Sequence, residues 1–356
     1  MSKGLDRRRV LAGAAGALAT PLIIGRRASA ADRSITVGIY TGKQGDVVRK
    51  QIIPPFEAKN NCKVYTTQGV TLEQIALMRA SRNNPKYSVM FIDDIGVELA
   101  KREGLIEKLP VEQMPTLERV LKRFIYYEGY GAAFAMSAAG MAYNNQTGKP
   151  LVSYGDLWNP KYKKRYLMET PKATQSLYLL IAAVSVVTGK PYAEAQYMID
   201  QAWPKMEQLK PNVLSIFEAE TAVLQVASGD VDFAGMFYSK SVNPYTLKGT
   251  PVAMTYPREG TFAGINTVTL VKNGPERELA IAFMNWMLSP DMQELLARET
   301  LVSPSISGLN FKPEIAQYQA YPESKMDEMG IFSCDWAFIN PIRPKLLEKY
   351  NQVFSA

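Results

Sequence analysis

The sequence predicts an α/β protein in two blocks, and three observations carry that prediction. Short β-branched runs alternate with helical periodicity from residue 35 to residue 104. The same alternation returns between residues 166 and 256. Two stretches rich in small residues, 134–143 and 259–266, separate and follow the blocks. Strand and helix at this pitch argue for parallel sheets with right-handed crossovers, in which ligands bind beyond the carboxyl ends of the strands.

In the first block, Ile35-Thr-Val-Gly-Ile-Tyr40 reads as a strand and Thr41-Gly-Lys-Gln-Gly-Asp46 as a polar turn. Val48, Ile52 and Phe56 keep helical spacing across a break at Pro54-Pro55. Residues 63–67 form a second strand, and Thr71 with Gln74 three residues on gives a capping-box pattern that opens a helix. Residues 87–92 are a third strand ending in Asp93-Asp94, with a helix from about 95 to 103 stopped by Gly104.

The stretch Phe134-Ala-Met-Ser-Ala-Ala-Gly-Met-Ala-Tyr143, followed by Asn144 and Asn145, has two readings. It is a buried core strand, or a connection crossing between two lobes, since small residues let backbone pass close to backbone or ligand. In the second block, 166–169 reads as a strand, and Thr170-Pro171-Lys172 leads into a long apolar helix ending near Gly189. Further helices are expected at 191–209 and 218–227, and strands at 231–237 and 251–256. A strand at 267–271 follows, then helices opened by Pro275 and Pro290 and a final helix near 345–354.

The 356 residues are 47% hydrophobic and 21% charged, enough material for two cores. The N-terminus reads as an export signal: a basic start, an apolar run over 10–25, and Ala28-Ser29-Ala30 as the cleavage site, so that the mature chain begins at Ala31. Asp6-Arg7-Arg8-Arg9-Val10-Leu11 resembles the twin-arginine signal, which places the protein in the periplasm. Residues 1–30 hold six Lys/Arg and one Asp, so the formal charge of +7 falls to +2 without them, and the case for a nucleic-acid partner goes with it. In an oxidising compartment Cys62 and Cys334 form either one disulfide or two separate thiols.

Ser153-Tyr-Gly-Asp-Leu-Trp-Asn-Pro-Lys-Tyr-Lys163 resembles the S-W-x-D-L-W-x-P-x-Y-K-G segment of family 1 extracellular solute-binding proteins. The resemblance continues through Lys101-Arg-Glu-Gly-Leu-Ile-Glu-Lys108, Ser228-Gly-Asp-Val-Asp232, Tyr256-Pro-Arg-Glu-Gly260 and Ala280-Ile-Ala-Phe-Met-Asn-Trp-Met-Leu-Ser-Pro290. These proteins are periplasmic receptors of ABC importers, and the nearest branch is the spermidine/putrescine-binding type. The resemblance implies a type II periplasmic-binding-protein fold: two α/β lobes, two interlobe crossings, a ligand cleft between them and hinge closure. It implies lobe 1 over 31–138, lobe 2 over 139–263 and a return to lobe 1 over 264–356. It also implies a small-molecule solute and an inner-membrane ABC permease as partners, with a monomeric receptor and no cofactor.

The polyamine pattern transfers only in part. Such members hold ammonium groups with carboxylates and tryptophans. Here the corresponding loop reads Glu169-Thr-Pro-Lys-Ala-Thr-Gln-Ser176, keeping at most Glu169 and adding Lys172. Asn266 stands where an Asp is expected, Gly264 at the preceding aromatic position, and Phe237 or Tyr238 in place of a Trp. The cleft candidates are therefore Lys43, Lys172 and Lys240 for an anionic group and Asp93 and Asp94 for an amine. Ser137, Thr170, Thr174, Ser239 and Asn266 would supply neutral hydrogen bonds, and Tyr238, with Tyr40, Phe237 and Phe262, apolar walls. The lysines read equally as solvated surface charges, and Asp93-Asp94 as a helix cap.

The expected function is capture of a small polar solute that is amino-acid-like, opine-like or otherwise anionic or zwitterionic. A polyamine receptor is the alternative. With no histidine in the chain, a Ser-His-Asp triad, a Cys-His pair and an HExxH zinc site are excluded, and an exported enzyme has no motif to support it. A ferric-iron receptor would use adjacent tyrosines, and Tyr126-Tyr127 lies outside the predicted strand-end loops. No metal site is expected.

Overall fold

The computed structural model describes residues 33–217 and 221–354. The export signal and its cleavage site lie outside the described residues, as does the start of the helix expected from 218. The first block forms β1 (Ser34–Ile39), α1 (Gly42–Val47), α2 (Ile53–Asn60), β2 (Lys63–Gln68), α3 (Thr71–Ala80), β3 (Val89–Asp93) and α4 (Asp94–Arg102). Short β4 (Ile106–Glu107) and β5 (Ile125–Tyr126) lead into β6 (Gly131–Tyr143). The second block supplies β7 (Tyr166–Glu169), α5 (Thr174–Thr188), α6 (Tyr192–Ala195), α7 (Trp203–Leu209), β8 (Val213–Phe217), α8 (Ala222–Ala227), β9 (Phe233–Tyr238), α9 (Ser239–Leu247) and β10 (Ala253–Thr255). After β11 (Thr261–Val271) come α10 (Arg277–Met287), α11 (Pro290–Thr300), α12 (Pro313–Ala316), α13 (Glu323–Glu328), β12 (Ile331–Phe332) and α14 (Trp336–Phe354).

The strands join in the order β2-β1-β3-β11-β6-β9-β7-β8. On one side β1 runs parallel to β2 and β3; on the other β7 runs parallel to β8 and β9. The two long antiparallel strands at the centre, β6 and β11, link the halves. The end of β6 pairs with β9, and the end of β11 pairs with β3. The apolar side chains divide along the same line. One buried cluster ends at Ala138 and resumes at Ala263; the other takes Ala139 and Phe262. This is the two-lobe architecture, with β6 and β11 as its crossings.

The small residues of the crossing are explained by what lies against them. A Cβ on Gly140 would stand 2.5 Å from the Thr255 carbonyl oxygen, so the β10 backbone seats there only because the side chain is missing. Twelve of the thirteen residues of β6 are buried, so the two readings of this stretch are both satisfied: it is a core strand and also a crossing.

Several local expectations need correction. The stretch expected as a polar turn is helical from Gly42, leaving only Thr41 outside. The Thr71–Gln74 capping box does not form: the Val70 N–H donates to Glu73 Oε2, while Thr71 Oγ1 accepts from the Asp93 N–H and Gln74 Nε2 donates to the Ile39 carbonyl. Both side chains are drawn away from their own helix to tie α3 to the ends of β1 and β3. The helix expected over 191–209 is broken at Met198, and β8 follows it unannounced.

The final helix starts at Trp336, not near 345, and runs through Pro341 and Pro344. Proline argues for a helix stop. Here Trp336 and Ile339 before the prolines, and Leu346, Tyr350 and Val353 after them, are all buried in the second cluster and hold the helix together. The tail expected with lobe 1 thus bridges the two halves: Tyr321 and Met326 lie in the first cluster, while α14 joins the second cluster and hydrogen-bonds through Trp336 and Asn340 to Asp94, Ile95 and Glu98 of α4. Cys62 lies in the first cluster and Cys334 in the second, both as buried free thiols.

Candidate ligand cleft

Three strand ends and one crossing converge between the lobes. Tyr40 follows β1, Asp93 ends β3, and Tyr238 ends β9, while Asn266 sits opposite Asp93 in the β11–β3 register. The first turn of α1 adds Gln44 and the first turn of α9 adds Lys240. Tyr40 OH donates to Asp93 Oδ1 at 2.8 Å, and Asn266 Nδ2 donates to the same oxygen at 2.9 Å. Gln44 Nε2 donates to Asn266 Oδ1 at 3.0 Å. Lys240 Nζ reaches from the second lobe to donate to Gln44 Oε1 at 3.2 Å and Asn266 Oδ1 at 3.3 Å. The same ammonium lies 5.8 Å from the centroid of the Tyr40 ring and 5.8 Å from that of Tyr238, within cation–π range of both faces.

The cluster is polar and held from behind, with Gln44 and Asn266 buried and Tyr40, Asp93, Tyr238 and Lys240 half-buried. Burial, with the Asp93 charge adding to it, pushes the phenols of Tyr40 and Tyr238 well above the ordinary tyrosine range, so both stay protonated at neutral pH. The Tyr178 hydroxyl lies 3.4 Å from that of Tyr238 and donates to the Ala263 carbonyl, while its ring stacks on Phe262 at 4.6 Å. Tyr238 lies directly over Gly264: a Cβ there would sit 2.2 Å from Tyr238 Cε1. The aromatic missing from position 264 is thus replaced by a ring from the opposite lobe. Ser137, opposite Gly264 in the β6–β11 register, is buried and its Oγ has no hydrogen-bond partner among the described residues.

Of the residues singled out from the sequence, Asp93, Tyr238, Lys240 and Asn266 come together here, with Ser137 on the floor and Ser239 buried beside them. Lys43 does not join them. It is exposed and paired with Glu299 at 3.4 Å, because a helix rather than a turn at this point rotates Gln44 inward and Lys43 out. Asp94 is buried but turned away, its Oδ2 accepting from Trp336 Nε1 at 2.7 Å. Thr170 and Lys172 lie on the loop between β7 and α5, which Thr174 opens; there the Thr170 N–H donates to Glu169 Oε1 and the Lys172 carbonyl accepts from Arg343 Nη2. Gln44 and Trp336 escaped the sequence reading. Gln44 was visible only as a neutral member of a strand-end loop, and Trp336 lay in a tail with no periodic signal.

Other concave or metal-like features do not compete with this cleft. A shallow depression of about 500 Å3 lined by Arg79, Arg82 and Lys86 lies at the amino ends of the strands, and both arginines pair with Glu103. Among the described residues, no group of three or more His, Cys, Asp or Glu stands together as a metal site. Tyr126, the last residue of the short strand β5, and Tyr127 lie near Ser333 and Lys101.

Comparison with known proteins decides the family. The family described as bacterial extracellular solute-binding protein matches residues 51–323. The chain belongs to this family. A spermidine/putrescine-binding periplasmic protein of Haemophilus influenzae is 25% identical over 270 residues, covering 73% of this chain and 72% of the relative. A gamma-aminobutyric acid-binding protein of Pseudomonas aeruginosa is 24% identical over 331 residues, covering 91% and 92%. Among solved structures, an ABC transporter protein from Clostridium perfringens superposes with a TM-score of 0.77 at 20% identity, over 90% of this receptor and 99% of that chain. The receptor is therefore a substrate-binding component of an ABC transporter, a binding protein and not an enzyme, which takes up a small molecule and hands it to a membrane permease.

Proposed function

We propose that the receptor captures a small amino-acid-like zwitterion, within the wider class of anionic and opine-like solutes, and closes its lobes around it. The observation that carries this reading is the presence of a carboxylate and an ammonium, Asp93 and Lys240, on opposite lobes of one polar cluster. Tyr40, Gln44 and Asn266 separate the two charges. A solute amine is matched by Asp93 and a solute carboxylate by Lys240, with the N-terminus of α9 adding its partial positive charge on the same side. The relative from P. aeruginosa, named for a ligand with an amine at one end and a carboxylate at the other, supports the same class. Lys240 is also what a pure polyamine receptor does not need, since it places like charge against the ligand.

Thermal shift against amino acids, ω-amino acids, opines, phosphonates, organic acids, polyamines and ferric iron tests this. A ligand at a hundred times its Kd adds about 2.7 kcal/mol to stability. A shift with zwitterions or organic anions is expected. A shift confined to polyamines or to iron refutes the proposal.

A further inference from the structure

We propose that Lys240 is a tethered ammonium seated in an alkylamine cradle built by the rest of the cleft, and that its presence there excludes simple alkylamines, which bring no anionic group to pair with it. The inference deepens the zwitterion reading and rests on it for the identity of the cleft. Around Nζ stand two carboxamide oxygens, Gln44 Oε1 and Asn266 Oδ1, at 3.2 and 3.3 Å. The rings of Tyr40 and Tyr238 lie at 5.8 Å on either hand. Acceptor oxygens and aromatic faces are what any primary alkylammonium seeks when it leaves water.

The cradle is also preset. Asn266 Nδ2 is committed to Asp93 and Gln44 Nε2 to Asn266, so the hydrogen-bond chain turns both acceptor oxygens toward the ammonium. Asp93 supplies the negative charge behind the Tyr40 hydroxyl and the Asn266 amide. None of these groups belongs to Lys240's own helix. A lysine is an ammonium on a four-carbon stem, and attached to α9 it competes as an intramolecular ligand, at an effective concentration that dilute solute amines do not match. One residue thereby turns a cleft suited to cations into one that presents a cation.

The test is chemical complementation, read by calorimetry with n-butylamine and putrescine on three proteins. Lys240→Ala removes all but the first carbon of a side chain of n-butylammonium dimensions and is expected to bind n-butylamine at least tenfold more tightly than the parent protein. Lys240→Met removes the charge but keeps the space filled, and is expected to show no such gain. Equal gains in the two variants would mean a general loss of positive charge and would overturn the proposal, as would no gain in a Lys240→Ala protein with a cooperative melt. If Lys240→Ala does not fold unaided, n-butylamine in the refolding buffer restores the melt, and its failure to do so counts against the cradle. Binding of γ-aminobutyrate and other zwitterions to the parent protein is measured alongside. A parent that binds none, beside a Lys240→Ala variant that gains n-butylamine, removes the functional reading and leaves the cradle. The opposite pair of results does the reverse.

Discussion

Replacing Asp94 by Asn is expected to stabilise the protein, and to do so increasingly as pH rises from about 4 to 7. The Asp94 carboxyl is buried on α4, where it accepts a hydrogen bond from Trp336 of α14. Burial pushes its pKa from 3.8 up to about 7; the Trp336 N–H opposes the shift and the Asp93 charge adds to it. A carboxyl whose folded pKa is raised holds its proton more tightly folded than unfolded, so its contribution is most favourable below about pH 4 and is lost as pH rises through 7. At about 1.4 kcal/mol per pH unit over roughly three units, the cost of ionised Asp94 at pH 8 is on the order of 4 kcal/mol. Asn keeps the acceptor for Trp336 and never ionises. Urea unfolding of the parent and Asp94→Asn proteins at pH 4.5 and pH 8 isolates the effect, because the slopes of carboxylates that do not interact with Asp94 cancel in the difference. The variant should gain on the order of 4 kcal/mol at pH 8 and about 1 kcal/mol at pH 4.5. A difference independent of pH, or a variant less stable at pH 8, would refute the reasoning.

Two further outcomes follow from the geometry. Gly264→Ala puts a methyl 2.2 Å from a Tyr238 ring atom, so it should displace the ring, cost about 1–3 kcal/mol and weaken solute binding; a neutral result in melting and binding would show that Tyr238 is free to move. With Cys62 and Cys334 in different apolar clusters, thiol titration in denaturant without reductant should find both thiols, and reductant should leave the melting temperature unchanged. Finding none would establish the disulfide instead.

The legibility of the cleft followed the reach of each interaction. Asp93 and Tyr238 could be found because strand ends in an α/β sheet have a known location relative to the ligand. Asn266 was marked by its place in the second small-residue stretch. Lys43 was misplaced because one question of local conformation, turn or helix, decides whether Lys43 or Gln44 points inward. Asp94 was placed at the right strand end but it opens α4 and faces away, since the group that claims it, Trp336, lies 242 residues away along the chain.

Sequence by itself determined the two α/β blocks, their strand ends and the two small-residue stretches, because alternation, helical period and side-chain size are local properties. Only the tertiary structure decided that β6 and β11 lie side by side at the centre of a single sheet. It also decided that the Tyr238 ring fills the place above Gly264, and that a lysine from one lobe occupies the polar cluster of the other. Those are contacts between segments far apart in the chain, fixed by packing and burial, and no local pattern encodes them.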